Sequence, residues 1–392
     1  MDRESYLEAV RSLLPALRER AAYTEELRRL PDETLADFKR LGLFRVVQPR
    51  RYGGYELDPW TMYEAIALLA TACPSSGWVM GVIAVHSWQL ALFPIEAQED
   101  VWGKDTGTLI SSAYAPTGHV EAVEGGFKLN GRWSFSSGCD HGQWIFLGGA
   151  PAGLPPGKGM RTFLLPRSDY TIEDNWHVMG LSGTGSKDIL VDNVFVPEYR
   201  THKYSDAYYL NSPGQVHNNG SLYRLPFGCV FRCALPSVAI GAAEGALNAA
   251  REKNRSRRSS YENEKVSADP FLQRRLASAT SEISAAWAGM RTGWEDLLKR
   301  AEAGDDMPIE LRAHLCWEAT NAVERSVKAV DLLMEAMGGR AIFRDNPVQR
   351  AFRDIHAVRA HATNNPDKGA MLFASLELTA EGEEKRPLMN FI

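Results

Sequence analysis

The sequence predicts a mostly α protein with a small β domain inserted between helical parts, and three observations carry that expectation. Apolar residues recur at helical spacing through residues 1 to about 105, the texture turns strand-like between Thr108 and Val196, and helical periodicity returns from about Leu225. Leu7, Val10, Leu13, Leu14 and Leu17 mark one face of an N-terminal helix, and Asp32-Glu33 precede a short apolar-periodic helix ending at Gly42. Pro49 and Gly53-Gly54 punctuate a turn before the next helix. Strands are expected at Leu109–Tyr114, Phe127–Phe135, Trp144–Gly149, Thr162–Leu165 and Ile189–Val196, separated by Gly, Pro and Asp clusters. Tyr199–Arg224, polar, aromatic and rich in Gly and Asn, reads as a long loop of lid type. Beyond it, Leu276, Thr280, Ile283, Trp287, Met290, Trp294 and Leu297 form one apolar stripe, a second helix runs from about Pro308 to Met337, and a last one follows Asn365-Pro366. The expected divisions are a helical domain over 1–105, a β domain over 106–205, and a loop plus four-helix bundle over 206–392.

Composition narrows the function classes. The 392 residues carry 44 basic and 49 acidic side chains, a net charge of −5, which argues against a nucleic-acid binder. Five cysteines (Cys73, Cys139, Cys229, Cys233, Cys316) are few, odd in number and scattered, so a disulfide framework is not expected and a reducing cytoplasm is. Cys229 and Cys233 share a helical spacing without a histidine cluster, which points to packing and not to a metal. The N-terminus is charged throughout and lacks a signal-peptide core. The longest low-charge run, Thr71–Phe93, is broken by Pro74, Gly77, His86 and Gln89, so it reads as a buried helix pair and not a membrane span.

Four motifs stand out in order: GLFRVVQPRRYGGYELDP (Gly42–Pro59), NGRWSFSSGCDHGQWIFLGG (Asn130–Gly149), GLSGTGSKDILVDNVFVP (Gly180–Pro197) and GGRAIFRDNPVQRAFRDIHAVRAHATNNP (Gly338–Pro366). No Gly-x-Gly-x-x-Gly follows a strand; GLSGTGS has the wrong spacing and leads into a strand instead of a helix. The four motifs resemble, in sequence and order, the acyl-CoA dehydrogenase superfamily, and the fold that resemblance implies is an N-terminal helical domain, a central β-barrel-like domain and a C-terminal four-helix bundle. One departure matters. A dehydrogenase of this kind carries its catalytic Glu soon after the Arg353-Asp354 pair, whereas here no Glu occurs before Glu377 and His361 stands in that neighbourhood.

Within that superfamily the residues look most like the oxygenase components of two-component flavin monooxygenases, which act on hydroxyphenylacetate, a phenolic secosteroid, indoles or dibenzothiophene sulfur. The resemblance implies reduced FMN or FAD supplied by a separate NAD(P)H flavin reductase, O2 as co-substrate, a C4a-hydroperoxyflavin that hydroxylates a small aromatic substrate, and a homotetramer. It also assigns roles. Ser137 would bond flavin N5, and His361 would handle the peroxide proton. His86 and Ser112 would hold the substrate hydroxyl, with Trp78, Trp88, Tyr114 and the Tyr204–Tyr209 stretch lining an apolar pocket. Phe135, Trp176 and Ser186 would wrap the flavin, Arg257 and Arg258 in the Ser-rich NRSRRSSY would meet its phosphate, and Gly339 with Arg340 would approach from a neighbouring subunit.

Each residue has a bland reading as well. A turn hydroxyl, a helix-end histidine, a core tryptophan and a solvated charge run are ordinary features. His356 is expected to be structural. Glu244, in SVAIGAAEGALNAA, is the carboxylate that an acyl-CoA dehydrogenase or oxidase would use as base. An N-oxygenase on the same fold and a non-catalytic flavin-binding protein complete the alternatives.

Overall fold

A computed structural model describes residues 1–154, 158–258 and 264–379. Five helices come first: α1 (Arg3–Leu27), α2 (Asp32–Arg40), α3 (Pro59–Ala72), α4 (Pro74–Leu90) and α5 (Ile95–Trp102). The buried face of α1 is Leu7, Val10, Leu13 and Leu17, as the periodicity requires. Pro59 and Pro74 each occupy a first helical turn, where the missing N–H costs nothing. Every residue of α4 is buried, so Thr71–Phe93 is one core helix joined to the last turn of α3.

Eight strands follow: β1 (Ile110–Ala113), β2 (His119–Val123), β3 (Gly126–Ser136), β4 (Trp144–Gly149), β5 (Arg161–Pro166), β6 (Thr171–Glu173), β7 (Lys187–Pro197) and β8 (Thr201–Lys203). They form two four-stranded sheets, β1-β4-β5-β8 and β2-β3-β7-β6. Pairing is antiparallel except for β1 with β4. Between the sheets lie Val120, Leu129, Trp133, Ile145, Leu147 and Phe163. The β3–β7 register slips twice, the second time between Trp133 and Ser136. That slip throws Phe135 out at φ 69, a left-handed conformation costly for an aromatic residue, and leaves it 68% exposed.

Tyr199–Arg224 is more structured than a plain loop: it contains β8, α6 (Tyr204–Tyr208) and two short 3-10 turns, the first closed by a capping box between Ser212 and Gln215. The helical remainder comprises α7 (Phe227–Ser256), α8 (Pro270–Ala303), α9 (Ile309–Met337), α10 (Pro347–Arg359) and α11 (Pro366–Glu377). Ile283, Met290, Trp294 and Leu297 are the buried part of the stripe on α8. α7 is long and apolar enough to cross a membrane, but 83% of its most apolar window is buried inside the protein, as befits the central rod of a bundle. It crosses α3 so closely that a Cβ at Gly241 would come within 2.2 Å of the Ala67 carbonyl.

Candidate active site

The site forms where the end of β3, the N-terminal part of α4, the Gly180–Ser186 turn and the end of α10 converge. The β3 slip delivers Ser137, 9% exposed, at its mouth. Trp78 Nε1 on α4 donates to Ser137 Oγ at 2.9 Å. Ser137 Oγ lies 2.7 Å from Ser186 Oγ, which lies 2.7 Å from Thr184 Oγ1. Thr184 closes the chain by donating to the Leu181 carbonyl at 2.8 Å. Leu181 is itself left-handed, at φ 54, and its N–H donates to Asp354 Oδ1 at 2.6 Å. The turn lies flat on α10, since a Cβ at Gly180 would sit 2.1 Å from the Arg353 carbonyl. Trp176 Nε1 donates to the same Leu181 carbonyl at 3.2 Å, and its ring stands edge-on to Phe135 at 6.1 Å. Asp354 is buried, and desolvation pushes its carboxyl up to about 7 against the pull of the Leu181 N–H.

His361 packs edge-on against Trp78, the ring centroids 5.6 Å apart. Its spacing from Asp354 and Val358 would set it on their helical face. Instead α10 ends at Arg359, and His361 is extended (φ −64, ψ 137) ahead of a short 3-10 turn, with Nδ1 2.8 Å from Thr363 Oγ1. The buried Arg232 of α7 fastens this segment by donating to the Thr363 carbonyl at 2.9 Å. Burial first, and then the Arg232 charge, push the His361 imidazole down to about 4, so it is neutral at neutral pH. His356 faces away, 3.2 Å from Asp331, in keeping with a structural role.

Two turns further along α4, roughly 12 Å at 1.5 Å per residue, His86 is fully buried. Its Nδ1 lies 2.7 Å from the Ile110 carbonyl. A carbonyl only accepts, so Nδ1 carries the proton and Nε2 is an acceptor; that Nε2 is buried with no protein partner. Burial pushes the ring down to about 4, which keeps it neutral. Around it stand Phe146 (5.6 Å), Tyr114 (6.0 Å) and Phe231 (6.4 Å, stacked). Strand alternation puts Ser112 and Tyr114 on one face, and the Tyr114 phenol donates to Gln89 Oε1. Trp88 does not line this box: its ring stacks behind Phe227 and its Nε1 donates to the Leu222 carbonyl at 2.9 Å.

Other expected residues are not brought together with these. Arg257 spends its guanidinium on the C-terminal carbonyls of α9, donating to Met337 at 2.8 Å and Ala336 at 3.3 Å. It lies just past the end of α7, roughly 37 Å along the axis from Arg232. Burial and the neighbouring Arg340 lower its affinity for its proton. Arg258, Gly339 and Arg340 are exposed nearby, and Ser259 and Ser260 of the same motif lie outside the described residues. Glu244 accepts from Trp287 Nε1 at 2.9 Å on the bundle side of α7, and burial raises its carboxyl. It stands roughly 18 Å along the helix from Arg232. Sequence reasoning missed Thr184, Asp354, Gln89, Phe231 and Arg232. The lone cation in the apolar FGCVFRCALPSVAIG was the available signal for the last.

The orphaned Nε2, the exposed Phe135 face and the buried Ser137 hydroxyl fit a planar aromatic group with a polar edge. Residues 2–106 match the acyl-CoA dehydrogenase N-terminal domain and residues 234–366 the acyl-CoA dehydrogenase C-terminal domain, so the chain belongs to that family. Within it, the chain is 41% identical to the oxygenase subunit HsaA of a flavin-dependent monooxygenase from Rhodococcus jostii, over 93% of this chain and 96% of the relative. It is 37% identical to the oxygenase component of an FADH2-dependent resorcinol hydroxylase from a Rhizobium strain, over 92% and 90% respectively. The crystal structure of 3-HSA hydroxylase from Rhodococcus sp. RHA1 superposes with a TM-score of 0.93 at 39% identity, covering 99% of this chain and all of that one. The protein is a flavin-dependent monooxygenase.

Proposed function

We propose that this protein is the oxygenase component of a two-component system: it takes reduced FMN or FAD from a separate NAD(P)H flavin reductase and, with O2, hydroxylates a phenol or an indole-type aromatic. The observation that carries the reading is the buried, proton-free Nε2 of His86 inside an aromatic box, two turns along α4 from the Trp78 that holds the Ser137 hydroxyl chain. An unpartnered buried acceptor costs about 1–3 kcal/mol, and a substrate O–H or N–H would satisfy it. The flavin-dependent relatives named above support the cofactor class, and one carries FADH2 dependence in its name.

Bound reduced flavin would supply the oxygen chemistry; the chain's own residues do the rest. Phe135 and Trp176 offer an apolar face for the ring, and Ser137 offers an oxygen to its edge. His361, neutral against Trp78, can hold or return a proton there. His86 and Ser112 orient the substrate hydroxyl, and Phe146, Tyr114 and Phe231 keep water from it. Arg258 meets the flavin phosphate, and Gly339 with Arg340, beside the Arg257 end of α7, approach the flavin of a neighbouring subunit in a homotetramer. Glu244, committed to Trp287 in the bundle, is poorly placed to serve as an acyl-CoA base.

Anaerobic mixing with reduced FMN or FAD, followed by a pulse of O2 in a stopped-flow spectrometer, tests the reading. A long-lived near-ultraviolet species that decays with hydroxylated phenol or indole is expected. Immediate return of oxidised flavin with stoichiometric hydrogen peroxide, whatever aromatic is added, would overturn it.

A further inference from the structure

The hydroxyl chain at Ser137 has a direction, and the direction can be worked out from its end. A hydroxyl offers one proton and two lone pairs, a carbonyl only lone pairs, and an indole N–H only a proton. Thr184 Oγ1 sits 2.8 Å from the Leu181 carbonyl, so the Thr184 proton lies between them. Towards Ser186, 2.7 Å away, Thr184 can then only accept, so the Ser186 proton points at Thr184. Towards Ser137, also 2.7 Å away, Ser186 can in turn only accept, so the Ser137 proton points at Ser186. Trp78 Nε1 fills one lone pair of Ser137 Oγ at 2.9 Å. One lone pair is left, and no proton.

We propose that Trp78, Ser186 and Thr184 are positioning residues that fix Ser137 as a hydrogen-bond acceptor, so that the site selects flavin whose N5 carries a proton, the reduced form, over the oxidised form. The inference rests on the reading that Ser137 faces flavin N5. In reduced flavin N5–H is a donor and meets the open lone pair. In oxidised flavin N5 is itself an acceptor, so two lone pairs would face each other unless the whole chain reversed. Reversal would turn the Thr184 hydroxyl proton away from the Leu181 carbonyl, which would keep the Thr184 N–H and Trp176 Nε1 as donors, and would set two oxygens 2.8 Å apart with no proton between them. The sequence thus builds redox selectivity from four side chains, of which only Ser137 touches the flavin edge.

The test is the ratio of dissociation constants for oxidised and reduced flavin, measured by anaerobic titration of the full-length protein with FMN and with FAD in each state. The wild type is expected to bind the reduced form at least about tenfold more tightly. Thr184→Val leaves Ser186 free to turn its proton to Ser137, and Ser186→Ala removes the acceptor of the Ser137 proton. Each frees Ser137 to donate, and each should lower the ratio about tenfold, the equivalent of about 1.4 kcal/mol. Thr184→Ser keeps the hydroxyl and should restore the wild-type ratio. A general loss of packing would weaken both forms together and leave the ratio alone. The proposal is overturned if the wild type shows no preference, or if both variants keep its ratio while Ser137→Ala changes it. In either case the oxygen reaction can still proceed and the functional reading stands, whereas a protein that binds neither form in any state removes that reading too.

Discussion

His86 shows how one residue can be specified by its surroundings more than by its type. The Ile110 carbonyl fixes the tautomer, burial holds the ring neutral, and the aromatic box leaves one nitrogen for a ligand. Replacing it by Phe keeps the packing and removes that acceptor, so the KM for the aromatic substrate should rise about tenfold or more while flavin affinity moves little. Steady-state kinetics beside flavin titration separates the two. His86 also belongs to a set. His141 and His361 are likewise pushed down to about 4, and His202, 2.9 Å from Ser212, to about 3, each chiefly by burial. Between its lowered folded value and its ordinary 6.5, such an imidazole takes up a proton when the chain unfolds. The stability these four groups contribute is therefore complete above pH 6.5 and is lost as pH falls towards 4. Thermal melts should show the midpoint dropping steeply across that window, and a flat profile would refute the assignment of neutral buried rings.

Among the elements, the turn from Gly180 to Ser186 depends on α10 for its shape. Asp354 grips the Leu181 N–H, and Arg353, itself paired with Glu25, donates to the Met179 carbonyl at 2.7 Å. The Asp354 value is raised, so the sign is opposite to that of the histidines: its favourable contribution is present below pH 3.8 and is lost as pH rises to about 7. Asp354→Asn keeps an acceptor for Leu181 without a titrating charge. Its melting temperature relative to wild type should climb between pH 4 and 7 and level off above, and a constant difference would show that the carboxyl does not titrate there. Most long elements were legible from periodicity, and five strands from alternating runs bounded by Gly and Pro. The three missed strands β2, β6 and β8 are three to five residues long, too short for a period to register. His361 was misplaced because the sequence gives α10 no glycine stop; the helix ends where Asn364 folds back to cap the Val358 carbonyl. Ser137 and His361 were nameable only through family likeness. The Trp78–Ser137–Ser186–Thr184 chain joins segments far apart in sequence, and no local pattern announces it.

At the scale of the whole molecule, α7 separates two kinds of business. Phe227, Phe231 and Arg232 stand at its start and Arg257 just beyond its end, so the helix spans roughly 45 Å at 1.5 Å per residue. If Arg340 completes the site of a neighbouring subunit, crippled chains should rescue each other. Co-expressed Ser137→Ala and Arg340→Ala chains, mixed at random, should regain roughly a quarter of the wild-type sites, since one in four pairings joins an intact Ser137 to an intact Arg340. Purified hybrids with no more activity than either parent would place both residues in one chain's site, or Arg340 in none. The length of α7 also bears on how such proteins change over generations. Substitutions in its first turn and a half reshape the aromatic box, while those near Arg257 touch only the far end of the bundle. A lineage can therefore change which aromatic it accepts by rewriting a few codons, while the opposite end of the molecule stays as it was.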